Sequence, residues 1–223
     1  MSKTSNGFFI QVPTKEKPFS GIFGTDVATP LGRLAFANTL VTPAAATASQ
    51  KAKYGTAFLI PKDTGLHDKT FEQQKVHIKA IQDMCKLMVQ DLWGDRAEQM
   101  LKLIKRRTFL DGDLPTSSGK VYDGYPNHWV INARNAMPEG HSRGWKILNP
   151  GLSPESFEGG MICRLTVQPY LNQDGFSYSL RAIKLVKDDG VRFGGAPDPS
   201  GVMDHLDEAV SAVNADMGGL SIF

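Results

Sequence analysis

At 223 residues, with 41% hydrophobic, 9% aromatic and 22% charged positions, the sequence reads as an ordinary globular chain that can bury a core without staples, neither disordered nor fibrous. The formal charge of +2 hides an asymmetry: residues 1–197 carry all 25 Lys and Arg against 18 of the 23 acids, a net of +7, while residues 198–223 carry five acids and no Lys or Arg. No run approaches the ~18 apolar residues of a membrane span, MSKTSNGFFIQVPTKEKPF lacks the apolar stretch of a signal peptide, and Cys85 and Cys163 lie far apart with no neighbouring His pair, so a cytosolic protein with two buried free thiols is expected.

In chain order, residues 1–31 mix Gly, Pro, Lys and aromatics without periodicity and are expected to form an N-terminal arm or irregular cover. GRLAFANTL (32–40) alternates in a strand pattern, TPAAATASQKA (42–52) is a small-residue loop, and AKYGTAFLI (52–60) is a second strand closed by Pro61 and the turn-forming KDTG. A helix follows, with Thr70 as N-cap and Gln73 completing a capping box; His77, Ile81, Met84, Cys85, Met88 and Leu92 recur at helical spacing until Gly94. His77 reads as a satisfied core histidine on that face. A shorter helix over about 96–107 carries LKLIKRR, residues 111–126 are turn-rich, and NHWVINAR (127–134) is a third strand.

The strongest pattern is GMICRLTVQPYLNQDGFSYSLRAIKLVKDDG (160–190), a hairpin turning at Asn172-Gln173-Asp174-Gly175. Met161, Cys163, Leu165 and Val167 alternate with Arg164, Thr166, Gln168 and Tyr170, giving one apolar and one polar-aromatic face. Pro169 suggests a sheet edge or bulge, and a bulge or register switch is expected in the second arm, where the inward alternation breaks. Five extended runs with one long helical insertion, about 70–107, imply a β-rich α+β chain built on a small, partly open barrel.

Cations that track phosphates, interleaved with rings on which bases stack, are what single-stranded nucleic acid requires. The candidates are Arg164, Gln168, Tyr170, Tyr178 and Arg181 on the hairpin; Lys102, Lys105 and Arg106 on one face of the second helix; and Lys53, Tyr54, Trp129 and Arg134 on the other strands. A solvated sheet or helix face is the alternative reading of each group, and which of Tyr178 and Arg181 faces a ligand stays open. Asp111 and Asp113 flank a glycine and could hold Mg²⁺ in a nuclease, though DGD also makes a tight turn. The histidines show no metal-ligand spacing and no phosphate-binding glycine loop occurs, so no cofactor and no metal is expected. The acidic end, with Asp216 and the apolar terminal pair Ile222 and Phe223, offers a partner protein apolar anchors and a terminal carboxylate.

KYGTAFLIPKD (53–63), LDGD (110–113), VINA (130–133), NP (149–150), FEGG (157–160) and DDG…RFGG (188–195), in this order, resemble the tailed-phage single-stranded DNA-binding proteins of OB-fold type, long catalogued as a domain of unknown function. The resemblance spans about residues 32–195. It implies an OB-fold domain that coats single-stranded DNA in replication, recombination or repair, without catalysis, in the cytoplasm of an infected bacterium, followed by an acidic tail over 196–223. Homo-oligomers are compatible with it. The motifs read as structural and do not themselves assign base-stacking residues. Phe223 matches the terminal Phe of many single-strand binders that recruit replication enzymes, but the apolar GGLSI before it departs from a massed acidic tail. A metal-dependent nuclease and a virion or scaffolding protein are the rival readings.

Overall fold

The computed structural model describes residues 1–15, 19–44, 51–115, 119 and 121–193. Five strands form a barrel: β1 Gly32–Ala35, β2 Tyr54–Pro61, β3 His128–Asn135, β4 Ile162–Asn172 and β5 Gly175–Lys187. Antiparallel ladders join β1 to β2, β2 to β3, and β4 to β5. A short parallel ladder joins β3 to β5, and a short antiparallel one joins β1 to β4. The circuit 1-2-3-5-4-1 is therefore closed by hydrogen bonds and leaves no barrel edge unpaired. This is an OB-fold barrel, with its helical insertion between β2 and β3.

The alternation read from the hairpin is what fills it. Cys163, Leu165, Val167 and Leu171 point inward with Leu180 and Ile183, against Leu34, Phe58, Ile60 and Ile131 from the other strands. Each such aliphatic side chain contributes about 1.5–3 kcal/mol by leaving water. The expected irregularity in the second arm is a bulge: Thr166 pairs with Ala182 and Val167 with Leu180, leaving Arg181 as the extra residue.

Several expectations are corrected. Residues 1–31 are not simply irregular cover: Ser2–Lys3, Phe9–Gln11, Gly21–Phe23 and Val27–Ala28 are short strands, and the last two pair with β4. Consequently Pro169 is not at an edge; its carbonyl accepts the Gly24 N–H at 2.9 Å. The first strand stops at Ala35 because Phe36 turns left-handed, at φ 56°, into a short 3₁₀ turn, Ala37–Leu40.

Helix α1, Phe71–Trp93, starts at the capping box of Thr70 and Gln73 and ends at Gly94. It buries Ile78, Ile81, Cys85, Met88 and Val89 in the same core as the barrel. At Gly24 a Cβ would come within 2.9 Å of the Met88 sulfur, so the helix approaches the backbone closely there. His77 is only half-buried, between the buried Gln74 and Ile78, and burial with the nearby charge of Arg164 pushes its pKa down. Burial raises the Cys85 thiol to about 11 and lifts Cys163 as well; both thiols are free and buried. Among the described residues no helix is long and apolar enough to cross a membrane.

The second helix, α2, is Ala97–Leu103, shorter than expected. Ile104 becomes extended and buries its side chain, which pulls the chain off the helix path and onto the hairpin. The Arg106 N–H donates to the Asp174 carbonyl at 2.9 Å, and the Arg106 carbonyl accepts Phe176 N–H at 3.0 Å. Lys102, Lys105 and Arg106 thus do not share a helical face.

The short motifs are joints. Lys62 pairs with both Asp111 and Asp113, while Asp113 also accepts the Asn127 N–H at 2.6 Å. Asn149 brackets Leu185 of β5, donating to its carbonyl at 3.0 Å and accepting its N–H at 2.7 Å. Arg33 grips Asp189 through two nitrogens, at 2.8 and 2.7 Å, and Arg192 holds Asp188 and Glu158. Together they latch residues 188–193 against β1 and the loop before β4. The acidic segment, with Asp216, Ile222 and Phe223, lies outside the described residues.

Candidate nucleic-acid interface

On a barrel strand, residues that do not enter the core face outward. On β3 these include Asn132 and Arg134, both exposed, and on the hairpin Tyr170, Ser177 and Ser179. They form the floor of a cleft of about 800 Å³, walled by Arg106, Arg107, Thr108 and Leu110, by the hairpin turn and by Lys51 and Lys53 just before β2. Lys51, Lys53, Arg106, Arg107, Arg134 and Arg143 line it, and none of its described lining residues is acidic. Asp174, in the hairpin turn outside the lining, stands 3.8 Å from Arg106; the six cations still outnumber it and make a concave positive surface, which concentrates anions.

Its apolar side is built by the N-terminal segment. Gly21–Phe23 pairs with β4 so that Phe23 and Tyr170 are direct cross-strand neighbours, their rings stacked at 4.4 Å between centroids. Phe19, also in the lining, is 53% exposed. An exposed ring beside a stacked pair, at the rim of a cationic cleft, provides flat apolar faces for another flat ring.

Of the residues nominated from sequence, Lys53, Arg106, Arg134, Tyr170 and Tyr178 come together in this cleft. Tyr178 is a wall rather than a free ring: it is buried, its hydroxyl donates to the Thr108 carbonyl at 2.5 Å, and burial raises its pKa well above the ordinary value. The others lie elsewhere. Tyr54 packs on the core, Trp129 packs by Phe109 beneath the Lys62 ammonium, and Gln168 donates to the Gly24 carbonyl at 3.0 Å. Arg181 sits 3.4 Å from Asp26, Arg164 faces His77, and Lys102 and Lys105 are exposed away from the cleft.

Sequence reasoning missed Phe19, Phe23, Lys51, Arg107 and Arg143. Arg107 stood in LKLIKRR and was reachable once the helix end was known. Phe19 and Phe23 lay in a stretch without periodicity and carried no signal of their own.

The Asp111–Asp113 pair offers little to a metal. Lys62 contacts both carboxylates, the Asp113 N–H donates to the same Asp111 oxygen, the Asn127 N–H takes the second Asp113 oxygen, and these bonds hold both pKa values below the ordinary range. Among the described residues no cluster of three or more His, Cys, Asp or Glu has metal-site geometry.

A solved structure titled as the single-stranded DNA-binding protein from bacteriophage Enc34 in complex with ssDNA is similar to this chain: 20% identity, 82% of this chain and 98% of that one covered, TM-score 0.52. A second structure of the phage Enc34 protein covers 88% of this chain and 99% of its own at 20% identity, with a TM-score of 0.49. No curated protein matches. The family model described as the Enterobacter phage Enc34 ssDNA-binding protein matches residues 25–213. The chain therefore belongs to the family of the Enterobacter phage Enc34 ssDNA-binding protein.

Proposed function

We propose that this chain binds single-stranded DNA in the cationic cleft without sequence preference, coating and protecting it during phage replication, recombination or repair in the host cytoplasm, and performs no bond chemistry. The observation that carries the reading is the cleft itself: six cations, no acid among its described lining residues, and the Phe23–Tyr170 stack at its rim, on the strand and loop surface that OB-folds use for oligonucleotides. Phosphates would be held by Lys53, Arg106, Arg107, Arg134 and Arg143, and bases would stack on Phe19, Phe23 and Tyr170. Every base has a flat face and every nucleotide a phosphate, so such a site tolerates any sequence. Lys102 and Lys105 add only longer-range attraction, screened beyond about 10 Å at moderate salt.

Duplex DNA presents no unstacked base to these rings. Anisotropy titration of labelled oligo-dT and of a duplex of equal length tests the reading. Tighter binding of the single strand is expected; equal affinity for the two contradicts it. In the same reading the acidic end, through Asp216, Ile222 and Phe223, contacts replication or recombination proteins. Its support is the sequence alone.

A further inference from the structure

The outer face of the barrel continues past the cleft. Phe23 pairs with Tyr170 and Tyr170 with Ser177. The parallel ladder pairing Tyr178 with Ala133 sets Ser177 beside Asn132 one residue back; Asn132 then pairs with Ala57 and Ala57 with Ala35. One lateral row thus runs from the Phe23–Tyr170 stack, over Ser177 and the exposed Asn132, to Ala57 and Ala35, which are buried beneath Tyr125 and Phe193, next to Phe36.

A second aromatic group stands at that far end. Phe36 and Tyr122 meet edge-on at 5.0 Å, and Tyr122 and Tyr125 lie 5.3 Å apart. Tyr125 packs over the outward Ala35, Ala57, Leu59 and Val130, and burial lifts its hydroxyl pKa to about 12, with the Arg134 charge pulling the other way. Arg134 and Val130 also line the cleft, so the two regions share a wall. Phe36 is 37% exposed and holds φ 56°, ψ 41°, a conformation that aromatic residues rarely take. The Thr39 hydroxyl, 2.9 Å from the Phe36 carbonyl and 2.6 Å from that of Gly55, ties this turn to β2. A left-handed position with no task beyond turning the chain suits glycine or asparagine. An aromatic kept there at the surface points to a use for the ring.

We propose that Phe36 and Tyr122, backed by Tyr125, are a second stacking platform for bases of the same single strand, which reaches them from the cleft by way of Asn132 and Arg134. This rests on the cleft assignment above. Continuity with the cleft and the shared arginine favour a nucleic-acid base over a protein side chain as occupant.

The test uses oligo-dT of about 4 and about 16 nucleotides, the two ends of the range for one OB-fold, with the full chain and its Phe36→Gly, Tyr122→Ala and Tyr122→Phe variants. The short probe fills only the cleft and should bind all four proteins alike. On the long probe, Phe36→Gly and Tyr122→Ala should each weaken binding about 5- to 140-fold, the loss of one base–ring contact, while Tyr122→Phe keeps wild-type affinity. Phe36→Gly should stay folded, because glycine adopts that backbone without strain and so offsets part of the ring packing lost against Tyr122. Unchanged long-probe affinity overturns the platform, as do equal losses on both probes. A concentration-dependent dimer abolished by Tyr122→Ala, with DNA affinity intact, assigns the rings to a second copy and likewise overturns it. Should Tyr122→Ala not fold, photocrosslinking of the unaltered protein to iodouracil-substituted oligo-dT decides: adducts on Phe36 or Tyr122 support the proposal, and adducts confined to Phe19, Phe23 and Tyr170 refute it. If the unaltered protein binds neither probe, the cleft reading itself has failed and the platform falls with it.

Discussion

Tyr170 lies ring on ring with Phe23, centroids 4.4 Å apart and planes 29° apart, over Gly21, where a Cβ would come within 2.3 Å of the Tyr170 hydroxyl. The ring's position therefore depends on a missing side chain in the neighbouring strand. Gly21→Ala should displace the ring without removing it, and Tyr170→Ala should remove it. Both variants are expected to weaken oligo-dT binding, Tyr170→Ala by about 1–3 kcal/mol, measured by fluorescence titration beside thermal unfolding. Unchanged affinity in both would take Tyr170 out of the interface.

Charge inside the cleft should act differently from charge outside it. Arg134 is exposed on the cleft floor, whereas Lys102 is exposed away from it. Arg134→Ala should weaken binding to every single-stranded sequence alike and reduce the salt slope by about 0.7, one phosphate contact. Lys102→Ala should change neither by much. The readout is the affinity of homopolymer oligonucleotides across a salt series.

Acid should loosen the latch formed by residues 188–193. Arg192 beside Asp188 and Arg33 beside Asp189 hold both carboxyls at about 2, below the ordinary 3.8. A carboxyl whose folded pKa is depressed contributes stability that is present above its unfolded pKa and is lost as pH falls through the folded one. Melting temperature should therefore decline between about pH 5 and pH 2, and Asp189→Asn should flatten part of that decline. Calorimetry across this range checks it; identical pH profiles for the two proteins would remove Asp189 from the account.

Gly160 has a stricter requirement. Its φ is +101°, and a Cβ there would lie 2.0 Å from the Val191 carbonyl oxygen. Gly160→Ala combines an unfavourable backbone with a collision against main chain, and should destabilise the fold by about 2–4 kcal/mol. Urea unfolding measures it. At temperatures where the variant stays folded, DNA affinity should be close to wild type, since the latch lies off the cleft.

What the sequence revealed followed period and punctuation. The alternation of Cys163, Leu165 and Val167 against Arg164, Gln168 and Tyr170 is local, and it identified the barrel's longest hairpin and its inward face. Thr70, Gln73 and Gly94 bounded α1 because caps are made by the residues that stand there. What stayed hidden was set by contacts between distant segments. Gly21–Phe23 is a strand only because β4 offers it a partner, and Phe23 faces the cleft only through its register with Tyr170. The end of α2 was misread because burying Ile104 outweighs continued helical spacing, and this separated Arg106 from Lys102. Trp129 was nominated by residue type; the cation standing over its ring is Lys62, which also binds two carboxylates. Residue type alone does not distinguish a ring that packs from one that waits for a ligand.

The central claim is that a cationic groove grips an unpaired strand through its phosphates as well as its bases, and the salt dependence of oligo-dT binding tests it most directly. With Lys53, Arg106, Arg107, Arg134 and Arg143 each engaging a phosphate, log K should fall linearly with log salt at a slope of about −3.5. A slope near zero, or no binding even in dilute buffer, would contradict the account.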